Sequence, residues 1–342
     1  MSADPNTSGP DAAPDVSVII AAYNAETTLE RAVASCLAQQ GCTVEVLVSD
    51  DASRDGTLAL ARQLAEGDPR ITVLAAEQNG GPSAARNMAL DVARGRYAAV
   101  LDSDDMMDAG RLAQLVAIAE AAGWDFTADD LYRVIEGQED GPRTRLLGGT
   151  IEGEEPVDLT AFVEGNLTTY NGARGELGFL KPLMSMDFIR KAGLRYREDM
   201  RLGEDFAFYA EALAEGASFC LVDPAGYLAV MRETSLSGQH DTVALHALVR
   251  AAEDLLTRGD LPAGARDALE RHRIDTMKRW AWMRLIDAVK ARDLGECIRC
   301  FQVPMPVAGH LVSCLSEQVV LRSGDRARNV LGGARQQGGT TE

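Results

Sequence analysis

Two spacings of apolar residues alternate along the first 122 positions. Short runs apolar at almost every position, VSVIIAA (Val16–Ala22), VEVLV (Val44–Val48), ITVL (Ile71–Leu74) and YAAVL (Tyr97–Leu101), predict strands buried on both faces. Between and after them, apolar residues recur every three or four positions and predict helices over Thr57–Glu66, Ser83–Ala93 and Arg111–Ala122. The first helix carries Leu29, Val33 and Leu37 four apart, opens on Thr27-x-x-Glu30 in capping-box form and stops at Gly41. Strand–helix alternation of this kind predicts an α/β fold around a mostly parallel sheet.

Further along the pattern changes twice. Residues 129–155 hold eight acidic residues and three arginines among several glycines, which suits a solvated hairpin or mobile loop. From His246 to about Arg299 the spacing becomes helical, with Met277, Trp280, Met283 (or Arg284) and Ile286 to Ala288 at helical intervals, a C-terminal helical appendage. Its Trp280, Trp282, Arg279 and Arg284 admit two readings. Such stripes more often pack against a neighbouring domain or a dimer partner, and otherwise form an interfacial membrane face. Residues Met1 to Asp15 read as a disordered leader and those after Ser323 as a disordered tail.

Composition narrows the function. With 34 Lys and Arg against 52 Asp and Glu, the net charge of -18 repels nucleic acid, so no nucleic-acid partner is expected. No apolar run reaches the ~18–20 residues that span a bilayer, which leaves peripheral contact as the mode open to lipid-linked substrates. Six scattered cysteines without a preceding secretory signal suit a reducing cytoplasm. Cys297 and Cys300 form a CxxC without a second ligand pair and read as helix residues.

Candidate chemistry sits where an open parallel sheet gathers its ligands, beyond the carboxyl ends of the strands. There lie Tyr23-Asn24, Asp50-Asp51, Asn79-Gly80-Gly81 and Asp102-Ser103-Asp104-Asp105. Three carboxylates within four residues repel one another, and a hard divalent cation, Mg²⁺ or Mn²⁺ bridging a diphosphate, would relieve them. Asp51, Ser53, Asp55 and Gly56 match the start of a calcium loop, but Arg62 stands where its closing Glu belongs, so Asp55 and Thr57 read as turn and cap residues. NGGPSAARN (Asn79–Asn87) brings glycine backbone and then a helix N-terminus towards an anion, with Arg86 adding a cation. Neither GxGxxG nor GxxxxGK[ST] occurs, which removes the usual dehydrogenase and kinase signatures. Glu204-Asp205 open another amphipathic helix, either to complement its dipole or to provide a general base.

In this order and at these separations, VSVIIAAYN, SDDASRDGT, NGGPSAARN, VLDSDD and GEDFAF resemble a family 2 glycosyltransferase, and in particular the bacterial enzymes that build exopolysaccharides of the succinoglycan type. The resemblance implies a GT-A catalytic domain over residues 16–242, its nucleotide-sugar half about 16–125 and acceptor half about 126–242, followed by helices over 243–322 and the tail 323–342. It implies a UDP-sugar donor, a hexose or N-acetylhexosamine, a carbohydrate acceptor that is free or linked to polyprenyl diphosphate, Mn²⁺ or Mg²⁺, and inversion by single displacement. Ala22, Tyr23, Asn24, Gly81 and Ser103 would line the nucleotide-sugar pocket, Asp51 would receive the base, and Arg86 would lie in the closing loop. Asp102 would bind ribose or metal-bound water, and Asp104, with Asp105, the metal. Asp205, beside Glu204, would be the base. His240, a further candidate metal ligand, and Arg232, a candidate phosphate contact, fall in MRETSLSGQH, where relatives close a loop over the diphosphate, and Lys181 falls where they contact acceptor. A sugar-nucleotide pyrophosphorylase would need a GxGTR-type loop that AAYNAETT does not provide; a catalytically degenerate nucleotide-sugar-binding or partner subunit would lack the Asp102, Asp104 and Asp205 present here.

Overall fold

The computed structural model describes residues 13–167, 176–232 and 241–318. The first twelve residues of the leader, the tail, His240 and the segment before it from 233 lie outside the described residues. The chain begins with β1 (Val16–Ala22), α1 (Leu29–Leu37), β2 (Val44–Asp50), α2 (Thr57–Gly67), β3 (Ile71–Ala75), α3 (Pro82–Val92) and β4 (Tyr97–Val100). These four strands run parallel in the order β3-β2-β1-β4, with Val16 opposite both Val44 and Tyr97. Their carboxyl ends therefore share one rim. Helices pack on the sheet, α3 against β1 and β2 and α1 against β2, and β1 is apolar at consecutive positions; α1 buries Leu29, Ala32, Val33 and Cys36.

The capping box expected at Thr27 does not form. α1 starts at Leu29 after Thr28, whose hydroxyl turns back to donate to the Ala25 carbonyl, while Glu26 accepts from the Gly56 amide. Asp55 does take the expected turn role, accepting from the amide and hydroxyl of Thr57.

Next come β5 (Met106–Met107), α4 (Arg111–Ala122), β6 (Phe126–Asp129), β7 (Tyr132–Ile135), β8 (Thr144–Arg145), β9 (Glu155–Pro156), α5 (Leu159–Glu164), β10 (Leu183–Ser185), α6 (Met186–Ala192), α7 (Glu204–Ala214), β11 (Phe219–Val222) and β12 (Tyr227–Met231). β10 wedges antiparallel between β4 and β6, and β11 and β9 complete an eight-stranded sheet. Leu183 lies opposite Ala99, so the antiparallel register carries Lys181 to the level of Leu101, next to Asp102. A smaller sheet, β5-β12-β7-β8, stands beside the main one. The acidic stretch does include the hairpin β7-β8, but Asp129 and Asp130 are fully buried instead of solvated, because Arg111 enters the core to pair with Asp129.

The appendage consists of α8 (Thr242–Leu256), α9 (Ala263–Ala291), α10 (Leu294–Arg299) and a helix over 305–318. For the last, Pro304 and Pro306 with Val307 and Leu311 four apart are the local signal. The helical period expected in α9 is present with its phase shifted: Met277, Ala281, Leu285 and Ala288 are buried, and Trp280 and Trp282 are half-buried against this second core. Trp280 stacks on His246 of α8 at 5.0 Å and carries Arg284 on its ring. Among the described residues no helix is long and apolar enough to cross a membrane, and the cysteines are free thiols.

Candidate functional site

At the rim, the first two strands are tied together by their loops. The Asp51 amide donates to the Ala22 carbonyl, the Asn24 amide donates to Ser53 Oγ at 3.0 Å, and the Arg54 amide donates to Asn24 Oδ1. Asn24 takes a positive φ of 52°, which turns the chain sharply and leaves Tyr23 exposed. Asp51 is buried, and its carboxylate accepts from the Gly80 amide at 2.7 Å, the Gly81 amide at 2.8 Å and Asn79 Nδ2 at 2.8 Å. Gly81 has φ +89°, a left-handed conformation that a side chain resists. The amides expected to approach a ligand are thus spent on Asp51. Its neighbour Asp50 is buried as well, accepts from the Ser53 amide through Oδ2, and has no hydrogen bond to Oδ1 among the described residues.

Opposite this clasp lies a cluster of buried charge. Arg86, on α3, donates from Nη1 to Glu204 and Asp205, each at 2.9 Å, and from Nη2 to Asp102 at 3.0 Å. Its guanidinium rests on the Tyr196 ring. Lys181 Nζ lies 2.6 Å from Asp205 Oδ2 and 3.1 Å from Asp102 Oδ2. Lys181, expected at the acceptor or the surface, is buried because β10 inserts beside β4. Three carboxylates and two cations thereby join the donor rim to the first turn of α7. Burial alone would raise the Asp102 carboxyl, but Lys181 and Arg86 outweigh it and hold it below the ordinary value. Lys181 is raised for the matching reason: Asp102 and Asp205 overcome burial. Glu204 is raised by burial, which Arg86 offsets only in part.

The other two acidic residues of the loop point elsewhere. Asp105, expected beside the metal, turns inward; it accepts from the Tyr227 hydroxyl and the Val230 amide, each at 2.8 Å, and so fastens β12. Burial, then Asp102 and Asp104, push its carboxyl up to about 7. Asp104 stays half-exposed, 3.9 Å from Arg232, and is raised by burial and then by Asp102. Among the described residues no three His, Cys, Asp or Glu side chains converge as a protein-only metal cage. The donor set at Asp104 fits a hard cation shared with a diphosphate: an accessible carboxylate destabilised by a carboxylate neighbour gains from added positive charge. Arg232 Nε also lies 3.0 Å from Glu136 Oε1, an ion pair that holds the guanidinium near Asp104.

Some residues that hold the site escaped the sequence reading. Arg111 is fully buried, forks onto Asp129, donates to the Lys181 carbonyl and sits on the Tyr227 ring, so it sets the backbone from which Lys181 reaches. Arg201, two residues before Gly203, donates to Asn79 and links the donor loop to the approach of α7. The available signal was an arginine or lysine inside an apolar stretch, as in GFLKPL, which demands a buried carboxylate.

Comparison with known proteins agrees with this geometry. The family model described as glycosyl transferase family 2 matches residues 17–177. The chain is 40% identical over 286 residues to the succinoglycan biosynthesis protein ExoU of Rhizobium meliloti, covering 82% of this chain and 81% of that protein. To ExoO of the same organism it is 35% identical over 311 residues, 88% and 87% of the two chains. Among solved structures, S. aureus TarS 1-349 in complex with UDP-GlcNAc superposes with a TM-score of 0.60 at 19% identity, over 84% of this chain and 90% of that one. The fold is the expected GT-A arrangement.

Proposed function

Since this chain belongs to glycosyl transferase family 2, we propose that it is an inverting, metal-dependent enzyme that moves a sugar from UDP to a hydroxyl of a carbohydrate acceptor during polysaccharide assembly. The observation that carries this reading is the pair of cations, Arg86 and Lys181, that bind Asp102 of the donor rim and Asp205 of α7 at once. They set the carboxylate of the proposed base at a defined position against the donor. A carboxylate offers about four lone-pair positions, and the two cations occupy two of those on Asp205. An acceptor hydroxyl can therefore still donate to it and lose its proton there as the oxygen attacks the anomeric carbon. Glu204 shares Arg86 Nη1 with Asp205.

On the donor side, Ala22, Tyr23, Asn24, Gly81 and Ser103 line the nucleotide pocket in this reading, and Asp51 positions the Asn79–Gly81 loop against the base. Mn²⁺ or Mg²⁺ held by Asp104 would stabilise the charge that grows on the departing diphosphate. In this reading Arg232 contacts the same phosphates. The attack comes from the face opposite the leaving group, so one base suffices and configuration inverts.

Calorimetric titration with UDP, GDP, CDP and dTDP, each with and without Mn²⁺, tests the donor half. Selective UDP binding that tightens with metal, and loses that dependence in Asp104→Ala, is expected. Binding to none of the four with metal present would overturn the reading.

A further inference from the structure

The appendage carries apolar surface that its own packing does not use. α10 turns Cys300, just past its end, and partly Cys297 into the second core, and the helix over 305–318 turns in Val307 and Leu311. Yet Leu294, Ile298 and Met305 are 78%, 70% and 83% exposed, and Val289 and Val312 are exposed as well. Leu294 and Ile298 are four apart and share a face of α10; Met305 and Val312 are seven apart and share the face opposite Val307 and Leu311. Two successive helices are therefore apolar on their outer as well as their inner sides. The tryptophans, for which packing is the favoured of the two readings, are half-buried against the second core.

Charge identifies what covers this row. From Lys278 to Gln318 there are six Lys and Arg against four Asp and Glu, a net of +2 in a chain of -18. Beside the row, Lys290 and Arg292 are exposed and make no ion pair among the described residues, and exposed Arg299 pairs with Glu296. Exposed apolar side chains with Lys290 and Arg292 close by in the chain and without an ion pair among the described residues match a surface whose headgroups are anionic and whose interior is hydrocarbon. The rest of the chain, strongly acidic, would be repelled by the same surface and so held away from it.

We infer that the outer faces of α10 and of the helix over 305–318, with Lys290, Arg292 and Arg299, dock peripherally on an anionic lipid bilayer. The placement suits the site: α8 packs on the turn that begins α7, where a side chain at Gly203 would meet Leu248 at 3.1 Å. The docking face thus belongs to the body that abuts Asp205. This inference stands on the surface alone and adds a partner to the transferase reading.

Flotation of the full chain with vesicles tests it. The chain is expected to float with phosphatidylcholine containing roughly a third phosphatidylglycerol, not with phosphatidylcholine alone, and to be released as salt rises from about 0.1 M to 0.5 M. Ile298→Glu with Met305→Glu should cut partitioning about tenfold or more, and Lys290→Glu with Arg292→Glu comparably, since each change removes one of the two attractions. All four positions are exposed, so an unchanged thermal midpoint and circular dichroism confirm folding. The inference is overturned by absent flotation at low salt, by equal binding to both vesicle types, or by parent-like partitioning of the Ile298→Glu/Met305→Glu variant. A concentration-dependent dimer abolished by that variant would overturn it too, assigning the row to a second copy of the chain. Because sugar transfer is not read, failure here leaves the transferase reading intact.

Discussion

Asp51 and Asp205 are both buried carboxylates, but they are held by different means. Asp51 is satisfied by two backbone amides and a side-chain amide from one loop fewer than 31 residues away. Asp205 is satisfied by a guanidinium and an ammonium brought from 119 and 24 residues away. Amides neutralise no charge, so the donor clasp is a shape-fixing device. The cations neutralise charge, so the acceptor side forms one electrostatic unit in which each member depends on the others.

That contrast can be broken from either end. The largest effect is expected at the base: Asp205→Asn should lower sugar transfer by roughly 10²–10⁴-fold while UDP affinity stays near the parent's. Transfer at the parent rate would remove Asp205 from the role. Arg86→Met comes next, because it leaves Asp102, Glu204 and Asp205 facing each other; unfolding in urea should show a loss of about 3–5 kcal/mol, with Arg86→Lys restoring only part of it. Asp51→Ala should cost less, about 1–3 kcal/mol for the amides left without an acceptor. Nucleotide binding should weaken alongside, since the loop loses its anchor. Arg201→Ala, at an exposed position, should change stability by at most about 1 kcal/mol. A loss there as large as that for Arg86→Met would show that the two ends are coupled through the Asn79 loop, and would erase the distinction.

The first four strands were legible because burial on both faces leaves an uninterrupted apolar signature; Val16–Ala22 and the helix Arg111–Ala122 match their expected bounds. The rim was legible for the same reason: strand ends point to where polar residues must gather. The destinations of individual carboxylates were not. Asp102, Asp104 and Asp105 are consecutive or nearly so, yet one enters the ion cluster, one faces the cleft and one fastens β12. Nothing local separates them, because each orientation is set by a partner on another element. Thr27 shows the same limit at smaller scale: its capping pattern lost to contacts between the first two loops.

By itself, the sequence determined the alternation of strands and helices, the polar rim and the helical character of the C-terminal part, all of which follow from periodicity and burial within single segments. Only the tertiary structure decided that Lys181 is a buried cation between Asp102 and Asp205, that Arg111 holds its backbone, and that the outward apolar row of the appendage runs through Ile298 and Met305 and not through the tryptophans. The reason is physical: a segment's pattern tells how much of it must be buried, while the partner that buries or neutralises a given side chain comes from wherever the fold brings the chain back.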